Sequence, residues 1–98
     1  MPLADWQTLD RTGAVLLDVR DADEHAAGHV QGALHIPLGE LRRRYMELPR
    51  DRPLAVYCGV GQRAYYATRF LAQMGYQAAN LSGGYATYRA LRAVGRAG

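Results

Sequence analysis

Cys58 closes the short apolar run Leu54-Ala55-Val56-Tyr57 and opens the segment Cys58-Gly59-Val60-Gly61-Gln62-Arg63, which leads into Ala64-Tyr65. A cysteine does nucleophilic chemistry as its thiolate, and helix N-termini and nearby cations enrich the thiolate. This order of residues provides both. Gly59 and Gly61 let the backbone curl and turn successive N–H groups inward. The following helix adds its unpaired N-terminal N–H groups and the positive end of its dipole. Such a cradle holds an anion. Arg63 can add fixed charge beside the thiolate or grip an oxyanion through its planar fork. The chemistry expected is nucleophilic attack by Cys58, assisted by Arg63, with Gly59, Val60, Gly61 and Gln62 lining the anion cradle. Taken alone, the pattern Cys-x-x-Gly-x-Arg fits equally well a strand-end cysteine packed as a small hydrophobe beside a simple turn.

The elements around the segment have to place it. Ala14-Val15-Leu16-Leu17-Asp18-Val19 reads as a strand buried on both faces. Asp21 to Ala27 reads as a short helix with acids in its first turn, ended by Gly28. Ala33-Leu34-His35-Ile36 is a second strand, stopped by Pro37. Leu38, Leu41, Tyr45 and Leu48 recur three or four apart, the helical period. Leu54–Tyr57 is a third strand, with Cys58 at its carboxyl end. Ala64, Ala67, Leu71 and Met74 mark one face of a helix ending at Gly75. Gln77 to Leu81 is a fourth strand, Gly83-Gly84 a turn, and Tyr85 to Val94 a last helix. Pro2 to Leu9 reads as a leading helix. Strands alternating with helices of this length predict an α/β fold: an open parallel sheet of four to five strands with helices on both faces. Ligands of such sheets bind at the carboxyl ends of the strands, where Cys58 stands.

Composition narrows the field. The chain has 98 residues, 49% of them hydrophobic, which suits one globular domain over 1–98. Its apolar runs are far shorter than the ~20 residues that cross a bilayer. The start Met1-Pro2-Leu3-Ala4-Asp5-Trp6 lacks the basic and apolar stretches of a secretory signal, so a cytoplasmic protein is expected. The net charge of +3, carried by twelve arginines and no lysine, is too small and dispersed for nucleic-acid binding. Arg42-Arg43-Arg44 reads as the solvated side of a helix. One cysteine rules out an internal disulfide or a cysteine-based zinc cluster. His25, His29 and His35 invite a metal reading, but Gly28 breaks the helix between the first two. No metal is expected, and His29 is expected to make a structural hydrogen bond. Tyr65, Tyr66 and Tyr85 read as half-buried packing residues. Arg20 and Glu24 are expected to form an ion pair tying strand to helix.

Three blocks then resemble the rhodanese family. Leu17-Asp18-Val19-Arg20, Glu24, Gly28-His29-Val30, Gly32-Ala33 and Ile36-Pro37 are similar to its first signature. Cys58 to Arg63 is similar to its active-site loop, and Leu81-Ser82-Gly83-Gly84-Tyr85 with Tyr88 to its C-terminal signature. The blocks fall in order from about Leu16 to Tyr88. The resemblance implies a sulfurtransferase that needs no cofactor. Cys58 takes the outer sulfur of a donor such as thiosulfate, holds it as a persulfide, and yields it to a thiol acceptor. A non-catalytic sulfur relay or interaction module is the alternative. Six residues from Cys58 to Arg63 match the sulfur-handling members; the related phosphatases carry one more. Many thiosulfate-using members place a basic residue directly after the cysteine, where this chain has Gly59. Pro37-Leu38-Gly39-Glu40-Leu41 and Cys58 to Tyr65 are similar to rhodanese domains fused to coenzyme A-disulfide reductase-type flavoproteins. That likeness implies a persulfide or polysulfide donor and a flavin-dependent disulfide reductase, or another sulfur-accepting protein, as partner. The chain is also expected to lack the leading strand that many family members have.

Overall fold

The computed structural model of the chain describes residues 3–4 and 13–97. Among them run strands β1 (Leu3–Ala4), β2 (Val15–Asp18), β3 (Leu34–His35), β4 (Leu54–Tyr57) and β5 (Ala78–Leu81), and helices α1 (Ala22–Ala27), α2 (Leu41–Arg44), α3 (Gln62–Gln73) and α4 (Gly84–Ala97). The strands make one sheet in the order β1-β5-β4-β2-β3, with every pair parallel.

The apolar runs form the central strands because both of their faces are covered. β4 is buried at all four positions. Its alternate side chains enter two separate cores. Leu54 and Val56 pack with Leu17, Leu41, Ala64, Ala67 and Leu71 on the α2–α3 side. Ala55 and Tyr57 pack with Val30, Leu81, Tyr85 and Tyr88 on the α4 side. Each fully buried leucine contributes roughly 1.5–3 kcal/mol, so this strand fixes the layers above and below it.

Two expectations need correction. The helix expected over Pro2–Leu9 is a strand at Leu3–Ala4; the rest of that segment lies outside the described residues. The leading strand thought to be missing is therefore present. Leu3 and Ala4 pair with Asn80 and Leu81 and so cover what would otherwise be an open edge on β5. The helix expected from Leu38 to Leu48 is broken into a 3₁₀ turn (Leu38–Glu40), α2, and a second 3₁₀ turn (Tyr45–Glu47). The Tyr76 hydroxyl donates to the carbonyls of Tyr45 and Leu48 at 2.9 and 3.1 Å. The helical partner of the Tyr45 carbonyl would be residue 49, a proline without an N–H, so the helix cannot run on, and Tyr76 satisfies these carbonyls from outside. Within this segment Arg44 bonds Glu40 and Glu47 at 2.8 and 2.9 Å, while Arg42 and Arg43 are exposed.

Candidate active site

Parallel pairing brings the carboxyl ends of β2 and β4 together, with Asp18 opposite Tyr57. One residue further on, Cys58 leaves the sheet, and the chain turns into α3 within four residues. Gly61 makes this turn possible. It occupies the N-cap of α3 with φ 117°, a backbone conformation that side chains disfavour. Its N–H then donates to the Cys58 sulfur at 3.1 Å, and the N–H of Ala64 in the first turn of α3 donates at 3.3 Å. Cys58 is only 1% exposed, so its sulfur sits at the bottom of the cradle.

The expected lining residues divide. Gly61 bonds the sulfur directly. Val60 is 74% exposed and Gln62 is exposed, so their side chains point out of the cradle and only their backbone can line it. Ala64 supplies the second N–H through its backbone, a role that its side chain does not signal. The loop is closed from behind by a third element. Gly83-Gly84 turns into α4, whose first N–H groups, on Tyr85 and Ala86, donate to the carbonyls of Cys58 and Gly59 at 2.7 and 3.0 Å. A Cβ on Gly84 would stand 2.5 Å from the Cys58 carbonyl oxygen, so the close approach demands glycine. Asn80, the third residue of β5, donates its side-chain amide to the Gly61 carbonyl at 3.0 Å.

Arg63 reaches the loop, but its fork is already occupied. Its two terminal nitrogens lie 2.6 and 3.0 Å from the oxygens of Glu24 on α1. The hydrogen bond from Arg63, helped by the Asp21 N–H, brings the Glu24 carboxyl down to about 2, and the same bond raises the Arg63 guanidinium. This corrects the expected Arg20–Glu24 pair. Arg20 instead turns to Asp18, with bonds of 2.9–3.2 Å, and to the Gly28 carbonyl at 2.7 Å. Glu24 sits at N3 of α1, where it also receives the Asp21 N–H at 3.0 Å. That capping box aims it away from β2 and toward α3.

Beside the loop lies a buried polar cluster. Asp18, fully buried, accepts from Arg20, from the Tyr57 hydroxyl at 3.2 Å and from His25 Nδ1 at 2.8 Å. Burial would raise the Asp18 carboxyl, but the hydrogen bonds from Arg20 and His25 outweigh it and bring it below its usual range. Burial pushes the Tyr57 phenol up. Asp18 and Arg20 thus tie the sheet to α1. The rings of His29, His25 and His35 stack at 3.8 and 4.1 Å. His29 bonds the His25 carbonyl at 2.9 Å, the structural bond expected of it. Parallel rings cannot aim their lone pairs at one ion, and no cluster among the described residues is suited to a metal. Tyr85 packs between Tyr57 and Tyr88 as expected, whereas Tyr65 and Tyr66 are exposed. No helix among the described residues is long and apolar enough to cross a membrane.

Known proteins resemble this chain in sequence and in backbone. The chain is 38% identical over 76 residues to a sulfurtransferase of Allochromatium vinosum, covering 76% of this chain and 71% of that one. The crystal structure of reduced Bacillus anthracis CoADR-RHD superposes with a TM-score of 0.81 at 38% identity, covering 87% of this chain. The NAD-dependent persulfide reductase from A. fulgidus superposes at 0.73 with 34% identity, covering 86% of this chain. The chain spans only 16% and 15% of those two larger proteins. Residues 5–91 match the Rhodanese-like domain family, and the chain belongs to that family.

Proposed function

We propose that this chain is a sulfurtransferase that carries sulfane sulfur on Cys58. The observation that carries this reading is the pair of N–H groups, from Gly61 and Ala64, already aimed at the sulfur at the carboxyl edge of the sheet. The Cys58 thiolate attacks the outer sulfur of the donor, and the donor's inner sulfur leaves with the bonding electrons as a thiolate. Cys58 then bears a persulfide anion, which the backbone N–H groups of the loop from Gly59 to Ala64 stabilise. An acceptor thiolate takes the outer sulfur and restores the Cys58 thiolate. The dipole of α3 favours the anionic forms throughout.

A persulfide or polysulfide donor fits better than thiosulfate. Gly59 brings no charge to the mouth, and the fork of Arg63 is held by Glu24. A dianion therefore meets no unpaired cation from these residues. The likeness to parts of larger proteins named CoADR-RHD and persulfide reductase supports a flavin-dependent disulfide reductase, or another thiol protein, as partner. It also supports a sulfur relay within or beside such a partner as the second reading. A free thiol nucleophile suits a reducing compartment such as the cytoplasm.

Intact mass after incubation with inorganic polysulfide, an alkyl persulfide or thiosulfate tests the proposal. A competent donor adds about 32 Da, lost on adding thiol. Cys58→Ser folds normally and gains nothing. Sulfur transfer by the Cys58→Ser protein would overturn the reading. Turnover with a small free thiol marks an enzyme, whereas discharge to one protein alone marks a relay.

A further inference from the structure

Asn80 is an unexpected residue for its place. It lies in β5, between Val56 of β4 and Leu3 of β1, among Ala78, Ala79 and Leu81. It is 6% exposed, and its side-chain oxygen is buried without a hydrogen-bond partner. An orphaned buried acceptor costs free energy, and an apolar residue here would avoid that cost. The other half of the amide has a definite partner, the Gly61 carbonyl at 3.0 Å.

We propose that Asn80 is a positioning residue for the Cys58 loop: its amide fixes the Gly61 carbonyl, which keeps the Gly61 N–H on the Cys58 sulfur. Gly61 has a glycine's wide backbone freedom, and Val60 before it is exposed. The carbonyl also receives the Tyr65 N–H at 3.0 Å, from within α3 itself. That bond lies in the first turn of the helix, where helices in general fray. The Asn80 bond comes from a strand paired on both sides, so it ties the loop to the rigid part of the fold. With its carbonyl held from β5, Gly61 keeps the left-handed conformation that presents its N–H 3.1 Å from the sulfur. Asn80 touches neither sulfur nor donor and acts through Gly61. The orphaned oxygen is the structural cost of placing an amide donor at that point in the sheet. The consequence for sulfur transfer rests on the function proposed above; the placement of Gly61 does not.

Two variants test this in the full chain. Asn80→Asp keeps the shape and removes the donor; Asn80→Ala removes donor and orphan together. The measurements are thermal unfolding, alkylation of Cys58 by iodoacetamide, and sulfur loading from an alkyl persulfide. Losing one hydrogen bond to the thiolate is expected to slow alkylation about five- to tenfold at about pH 7. The difference shrinks at about pH 10, because hydroxide removes the proton that the lost hydrogen bond had helped to displace. Sulfur loading falls in parallel, while Asn80→Ala unfolds within a few degrees of the parent. Alkylation of both folded variants at the parent rate at the lower pH would overturn the proposal. A deficit that persists undiminished at the higher pH would do so too, since it marks altered access. If neither variant folds, Asn80 is a residue of the fold and the proposal is lost. If the parent protein takes up no sulfur, the sulfurtransferase reading fails while the alkylation comparison still judges Asn80.

Discussion

Glu24 and Arg63 face each other across the mouth of the cradle, with both terminal nitrogens of the guanidinium on the two carboxylate oxygens, at 2.6 and 3.0 Å. The pair joins α1 to α3 and neutralises the one cation of the Cys58–Arg63 segment. Glu24→Gln removes the charge and keeps much of the shape. Thiosulfate should then gain on an alkyl persulfide, with the ratio of their kcat/KM values rising about three- to tenfold at low salt. The gain should shrink as salt screens the freed guanidinium. Steady-state kinetics with the two donors checks it, and an unchanged ratio would remove Glu24 as a determinant of donor charge.

The same pair predicts a sensitivity to acid. The Glu24 carboxyl is brought from 4.5 to about 2 by the folded state. A depressed carboxyl stabilises the fold fully above its unfolded value, and the contribution fades as pH falls from about 4.5 through about 2. The Asp18 carboxyl is shifted in the same direction. Thermal unfolding followed across this window should show the parent protein losing its advantage over Glu24→Gln on acidification. A gap that stays constant would contradict the assignment.

Asp18 gathers three donors in a buried site: Arg20, the Tyr57 hydroxyl and His25. Asp18→Ala leaves the Arg20 guanidinium buried without its carboxylate. Breaking a buried pair from one side costs about 3–5 kcal/mol, a large part of the stability of a chain this small. Urea unfolding should show the midpoint falling steeply or the fold lost. A loss below about 1 kcal/mol would mean that water reaches Arg20 and replaces the carboxylate.

Gly84 is the narrowest point behind the loop. In Gly84→Ala the new methyl meets the Cys58 carbonyl, while the backbone is held at φ 63°. Left-handed backbone and overpacking together cost about 2–5 kcal/mol. The expected result is a protein that unfolds earlier and loads sulfur poorly, because α4 backs away and releases the Cys58 and Gly59 carbonyls. Parallel melting and mass measurements check both effects. Normal loading in the variant would show that α4 does not shape the cradle.

The sequence by itself determined most of the elements and placed its one cysteine at a strand end. Continuous apolar runs such as Leu54–Tyr57 can be buried only between two layers, so they had to be inner parallel strands. Cys58 at the end of such a run, followed by Gly59 and Gly61 and then an amphipathic helix, could hardly be anywhere but a strand-to-helix turn. Local chemistry was enough because the interacting groups are near neighbours in the chain. Where distant groups compete, the local pattern misled. The helical spacing from Leu38 to Leu48 was real, yet the segment is three short turns whose last carbonyls bond the distant Tyr76 hydroxyl. Arg20 and Glu24 sit four apart, but the capping box turns Glu24 toward α3 and leaves Arg20 to Asp18. Tertiary structure alone decided what surrounds the cysteine. Glu24 meets Arg63 across 39 positions, Asn80 meets Gly61 across 19, and α4 donates to the Cys58 and Gly59 carbonyls. The strand order β5-β4-β2 makes all three contacts. That order is set by which faces bury together, a property of the whole chain that no single segment carries.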